Sequence, residues 1–171
     1  MNDIDDLVSR IASKARAQGP LPDVVSSEQL ARAEDTVGLT LPPLLAALYT
    51  SVANGGFGPG TEVEIPGYDV AVLHPLDRMV SLYLQNQQPD PGMPFRPWPR
   101  GVVPMLSWGG FAEAAVDVLS PAAPVLLYES DVEAVAPDRA WKVDTSSLAE
   151  WWQAWVDGRR TTPTEIWRGR Q

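Results

Sequence analysis

The window from Ser26 to Gly60, SSEQLARAEDTVGLTLPPLLAALYTSVANGGFGPG, holds two helix starts, two helix stops and a glycine-rich turn in 35 positions, and punctuation this dense leaves the chain few ways to run. Ser26 and Gln29 have the capping-box spacing, in which the hydroxyl accepts one orphan backbone amide and the glutamine side chain accepts another; Val25 stands where it can staple onto Leu30. The spacing predicts a helix from there, with Leu30, Ala33 and Val37 as its apolar stripe and Gly38 as the left-handed residue that closes it. Glu34 falls inside that stripe. An ionised carboxylate so placed needs a charge partner or several donors to offset its desolvation, and the open amides of the turn Asn54-Gly55-Gly56-Phe57 are the expected donors, which makes Glu34 a structural pin rather than a general base.

A second helix is expected over 42–53, because Pro42 has its φ fixed for a first turn and lacks the amide that would go unpaired there. Leu44, Leu45, Leu48, Tyr49 and Val52 recur along one side. Asn54, Gly55 and Gly56 then end it, residue types that tolerate the positive φ of a helix C-terminus. The glycines at 56, 58 and 60 follow a helix, whereas phosphate-binding loops follow a strand and open a helix, so they read as a structural turn.

At these residues the chain resembles the SUKH superfamily, which includes the fungal cell-wall-assembly regulators and many bacterial immunity proteins. The resemblance rests on Leu30, Glu34, Gly38, Leu41-Pro42, Leu48-Tyr49 and Asn54-Gly55-Gly56 in that order and spacing, and continues at Pro104 through Trp108-Gly109 and at Val116-Asp117-Val118. Gly110-Phe111-Ala112 departs from it, since members of the family more often carry a polar or aromatic pair there. It covers residues 26–158. It implies a single α+β domain, a mixed and mostly antiparallel sheet flanked by helices, with Glu34, Pro42, Asn54, Gly55, Gly56, Trp108 and Gly109 as structural motif residues.

The rest of the chain fits that frame. Asn2 or Asp3 can cap a first helix with Ile4, Leu7, Val8, Ile11, Ala12 and Ala15 on one face, stopped at Gly19-Pro20-Leu21-Pro22. It packs on the domain or, alternatively, serves as an arm for self-association. Thr61 to Ile65 and Tyr68 to Leu73 read as a hairpin about Pro66-Gly67, and His74-Pro75 opens a short helix with Leu76, Met79, Val80 and Tyr83 inward. Five prolines make 87–101 a loop, pinned to the domain by Phe95 and Trp98 rather than offered as a polyproline ligand. Val102 to Trp108, Ala112 to Leu119 and Val125 to Glu129 read as an antiparallel meander. Ser147 and Glu150 form a second capping box, opening a helix whose Leu148, Trp151, Trp152, Trp155 and Val156 make one wide, nearly aromatic face ended by Gly158. The organisation is thus a helix and linker over 1–22, the α+β domain over 23–158 and an arginine-containing tail over 159–171, with Arg159, Arg160, Arg168 and Arg170.

Chemistry is sparse. There are no cysteines, which excludes disulfides and thiolate metal sites and fits a reducing compartment. The single histidine, His74, stands at a strand-to-helix corner without recognisable catalytic partners, and no nucleophile-elbow or phosphate-loop spacing occurs. Asp69, Asp77, Asp117 and Glu129 are the right ligand type for a hard cation, but their spacing matches no known loop. No cofactor or metal is expected. The acidic start MNDIDDLV is no signal peptide, and no run approaches the roughly 20 apolar residues of a membrane span, so the expected location is the cytoplasm.

A formal charge of −9 repels nucleic acid and steers in a basic protein partner. Seven tryptophans exceed what one small core uses, so Trp98, Trp108 or Trp167 is expected partly exposed at a binding surface. The expected function is that of a non-enzymatic, protein-binding bacterial immunity protein, which neutralises a toxin encoded beside it by direct binding and occlusion. A scaffold or regulator of cell-wall assembly is the alternative, followed by an unrecognised carboxylate-dependent enzyme. The expected contact surface comprises Phe57, Phe95, Trp98, Glu113, Asp117, Glu129 and Asp131.

Overall fold

Both halves of the predicted capping box form: the Ser26 hydroxyl accepts the amide of Gln29 at 3.1 Å, and the Gln29 side chain accepts the amide of Ser26 at 2.8 Å. A computed structural model of the chain describes residues 3–60, 71–89, 91–92 and 95–159. Asn2, the hairpin residues 61–70, and Arg160, Trp167, Arg168 and Arg170 lie outside the described residues.

Among the described residues the order is α1 (Asp3–Gln18), α2 (Ser27–Val37), α3 (Pro43–Ala47) running into a π turn (Leu48–Val52), α4 (Leu76–Asn86), β1 (Val102–Gly109), β2 (Ala112–Asp117), β3 (Val125–Glu129), α5 (Ser130–Val135), a 3-10 turn (Pro137–Arg139), β4 (Trp141–Thr145) and α6 (Leu148–Val156). The four strands form one sheet in the order β1-β2-β3-β4, each pair antiparallel. This is the expected α+β arrangement, a meander covered by helices.

The free side of β1 is not bare. Ala71 and His74 donate their amides to Ser107 and Met105 of β1 at 2.6 and 2.9 Å, and the Asn54–Gly60 turn joins on in its turn through Gly56 N to Leu73 O at 2.9 Å and Leu73 N to Phe57 O at 2.8 Å. Backbone donors on that edge therefore find partners, as buried amides must. At the other side, β4 ends the sheet.

Strand alternation sorts the residues of β2 onto two faces. Ala112, Ala114 and Val116 look into the main core with Val103, Leu106, Val125 and Leu127, whereas Ala115 joins a second cluster with Trp98, Val102, Tyr128 and Ala140 on the far face. The main core is closed by α6, where Trp151, Trp152 and Trp155 are all buried. Their rings pack edge-on at 5.0 and 5.4 Å, with Phe57 5.5 Å from Trp152. Helix α1 packs against α6 with Leu7, Ile11, Ala12 and Ala15 buried; Arg10 donates to Gln153 at 2.6 Å, and the Lys14 ammonium donates to the Trp155 carbonyl.

Three local expectations need correction. Pro42 does not open the helix. It is extended, with ψ 143°, and Pro43 takes the first helical position, because a residue that precedes proline is driven out of the helical region. Nor does Glu34 reach the turn at 54–57. Its Oε1 accepts the amide of Leu41 at 2.8 Å, since left-handed Gly38 folds the chain back past the end of α2 and brings that amide within reach. The turn amides already have acceptors: Asn54 donates to Asp23 O and Gly56 to Leu73 O. Finally, the second helix is not uniform. Its last turn is a π turn, and the Tyr49 carbonyl freed from regular pairing accepts the amide of Val25 at 2.9 Å. Gly55 and Gly56 do have positive φ, 77° and 79°.

Candidate functional site

The residues expected to meet a partner fall into two groups. Phe57 is fully buried against Trp152 and Trp155, and Glu129 is fully buried with Lys142 2.9 Å from its Oε2. Trp98 is 7% exposed and lies 5.0 Å from the Tyr128 ring and 4.8 Å from that of Trp141. Trp108 is likewise buried, 6.1 Å from Trp151. The fold takes these side chains for packing, so among the described residues Trp98 and Trp108 serve two cores, one on each face of the sheet, rather than an exposed platform; Trp167 lies outside the described residues. Asp117 is also occupied: its two carboxylate oxygens accept from Leu119 N and the Ser120 hydroxyl at 3.1 and 2.7 Å, closing the β2–β3 turn. Of the four acids expected to meet a partner, Asp131 alone is exposed, on the first turn of α5, where it accepts the amide of Val132.

Phe95, Trp98 and Glu113 do converge. With Gln85, Asn86, Arg96, Tyr128 and Ser130 they line a cleft of about 440 Å³ on the outer face of the sheet, a size typical of small-ligand pockets. Strand register explains the meeting. Glu113 stands opposite Ser107 of β1 and opposite Tyr128 of β3, so its side chain leaves β2 on the same face as the Tyr128 ring, away from the main core. The proline-rich loop supplies the other wall. It is tied down at Trp98, whose amide donates to Asn86 O at 2.7 Å, and at Arg96, whose amide donates to the buried Glu133 carboxylate at 2.9 Å.

Electrostatically the cleft is uneven. Oε2 of Glu113 is buried with no hydrogen-bond partner among the described residues, and this burial pushes the Glu113 carboxyl above its ordinary pKa against the opposing field of Arg78. Burial also raises the Tyr128 phenol, helped by the Glu133 carboxylate within hydrogen-bonding reach. The Arg96 guanidinium points to Asp138 at 3.3 Å, where both partners are well exposed and the pair contributes little.

Two other clefts among the described residues have polar groups engaged. Between α1 and α6, Arg10 is held by Asp6 and Gln153; between α2 and α4, Arg32 pairs with Glu28 and Asn54 accepts from Leu76. The cation set Asp69, Asp77, Asp117 and Glu129 is not assembled: Asp69 lies outside the described residues, and among the described residues no three acids or histidines come together as a metal group. His74 is buried beside the glycine turn, and its carbonyl accepts the Tyr49 hydroxyl at 2.7 Å.

Sequence reasoning missed Tyr128, Gln85, Asn86 and Ser130 as residues lining the cleft with Glu113, and Glu133 as the carboxylate beside Tyr128. Alternation along β2 carried the signal for the face of Glu113, which is out of phase with Ala112, Ala114 and Val116, but not for its neighbour on β3. No protein-family model matches the chain, and no curated protein matches it.

Proposed function

We propose that the chain is a non-enzymatic, protein-binding domain of the immunity kind, which neutralises a cognate basic toxin by covering it. The observation that carries this reading is how the carboxylates are used. Glu34 holds the Leu41 amide, Glu129 holds Lys142, Asp117 closes a turn and Glu133 anchors the proline-rich loop, so these four acids serve the scaffold. Most of the other acids among the described residues are spread over the surface: Asp3, Asp5, Asp6, Asp23, Glu28, Asp35, Asp77, Asp131, Asp138, Glu150 and Asp157 are exposed. A field of that sign around a net charge of −9 accelerates encounter with a basic protein. The SUKH resemblance supplies the immunity part of the reading, and the lack of cysteine supports the cytoplasm as its place.

The test is co-expression with the product of the neighbouring gene. Rescue of growth from that product's toxicity, together with an association rate that falls as salt rises while dissociation changes little, is the expected result. A neighbouring product that is harmless, or a toxin that the chain does not bind, overturns the reading.

A further inference from the structure

The cleft on the outer face of the sheet has an organic-cation chemistry of its own. A carboxylate oxygen buried without a hydrogen bond is costly, and Glu113, half-buried in the cleft, keeps Oε2 in that condition among the described residues. Around Glu113 the walls are aromatic: Phe95 half-buried at the mouth, Trp98 and Tyr128 behind it. Aromatic faces attract ammonium and guanidinium groups within about 6 Å of the ring centre. Gln85, Asn86 and Ser130 add amide and hydroxyl oxygens that can accept from a cation's N–H groups.

We propose that this cleft receives a single organic cation, an ammonium or guanidinium on an aliphatic stem, of the kind a lysine or arginine side chain of the protein partner presents. The inference rests on the proposed protein-binding function and names the part of the partner that enters.

The charged groups around Glu113 allow this. Arg78 of α4 is exposed, so solvent screens its competition; Arg96 of the loop is turned to Asp138; Glu133 of α5 adds a second negative charge beside the Tyr128 phenol. A cation entering the cleft supplies the counter-charge that the Glu113 carboxylate lacks, so it favours the ionised form. Binding then releases a proton wherever the carboxyl is still protonated, and affinity rises with pH through its titration.

The experiment uses the full chain and four probes: n-butylammonium, n-butylguanidinium, the neutral n-pentanol, and Nα-acetyl-lysine N-methylamide. Binding is followed by tryptophan fluorescence and by the carboxyl carbon shift of Glu113. Either cation is expected to bind about tenfold or more tighter than n-pentanol, a difference of about 1.4 kcal/mol, with the carboxyl signal moving to its ionised position. Glu113→Gln should remove that preference. If the variant does not fold, Phe95→Ala, altered only at the mouth, should weaken cation binding while leaving the fold intact. A protein-borne side chain as occupant predicts that the acetyl-lysine amide binds as well as butylammonium. Rejection of the amide assigns the cleft to free amines and overturns the partner's side chain as occupant. Equal binding of cation and alcohol, or full cation preference in Glu113→Gln, overturns the site altogether. None of these measurements needs the partner, so the cleft can fail while binding to the neighbouring gene product stands.

Discussion

The side-chain oxygen of Asn54 accepts the backbone amide of Leu76 at 2.8 Å, so the turn that ends one helix caps the start of another 22 residues on. Pro75 precedes α4 and has no side chain that can cap it. Asn54 does this in its place while its own amide is held by Asp23 O at 3.1 Å. Asn54→Ala should therefore behave like loss of an N-cap and cost about 1 kcal/mol, and Asn54→Asp should retain most of the stability because an acid complements the helix dipole. Urea unfolding of the two variants checks it; equal losses would mean that the contact does not act as a cap.

Glycine is required at position 55 for two reasons that can be separated. A Cβ there would lie 2.6 Å from Leu73 O and 2.7 Å from Pro75 N, both backbone atoms that cannot rotate away, and φ is +77°. At Gly38 φ is +69°, but nothing lies within 4 Å of the same atom. Gly38→Ala should cost about 1–2 kcal/mol for the left-handed backbone alone, and Gly55→Ala about 3 kcal/mol or more once the clash is added. Denaturation midpoints of the two variants decide between one effect and two.

The adjacent indoles of α6 are equally buried but differently partnered. Trp151 Nε1 donates to Asp144 at 3.0 Å, whereas Trp152 Nε1 is buried with no hydrogen-bond partner among the described residues. Truncation to alanine should cost about 3–5 kcal/mol at either position, and at Trp155 as well. Replacement by phenylalanine should separate the pair: Trp151→Phe loses a hydrogen bond, while Trp152→Phe removes a buried unpaired donor and should be the milder by about 1 kcal/mol. Thermal melts of both phenylalanine variants provide the comparison.

Glu113 makes stability depend on pH in an unusual direction. Burial raises its folded pKa, so between the unfolded value near 4.3 and that raised value the folded state holds more protons than the unfolded one. Unfolding free energy contributed by this group is therefore greatest below about pH 4 and falls as pH rises through the window. Arg78 of α4 opposes the shift, Tyr128 faces the same cleft, and Glu133 lies within hydrogen-bonding reach of the Tyr128 phenol. Glu113→Gln, which cannot ionise, should match the wild type at pH 4 and exceed it at pH 7 in urea midpoint. A variant weaker than wild type at both pH values would show that the carboxyl is not desolvated.

How far the chain could be read depended on whether a signal was local. The Ser26 box, Gly38, the stripe of α1 and the aromatic face of α6 each depend on neighbours within one or two helical turns, and each forms as the spacing predicts. Strands β1 to β3 were also legible, because apolar runs were bounded by glycine and proline. Partners chosen in three dimensions were not. Glu34 accepts from Leu41 rather than from the glycine turn because only the folded path of 38–42 fixes which amide arrives first. Helix α5 was missed because six residues carry too little periodicity, and β4, WKVDT, because an edge strand with Lys142 and Val143 exposed lacks an apolar run. In the cleft, Phe95, Trp98 and Glu113 were named for their chemistry, but only strand register shows that Tyr128 stands beside Glu113.

The packing of α1 on α6 also sets an order of events on the ribosome. Lys14 and Trp155 are 141 residues apart, so at synthesis rates of about 5–20 residues per second the first helix waits roughly 7–28 s for the surface it will cover. An amphipathic helix such as α1 takes most of its stability from the surface it packs on. Throughout that interval Leu7 and Ile11 have no docking partner from α6, and the nascent chain offers chaperones the apolar face of α1 until α6 has left the exit tunnel.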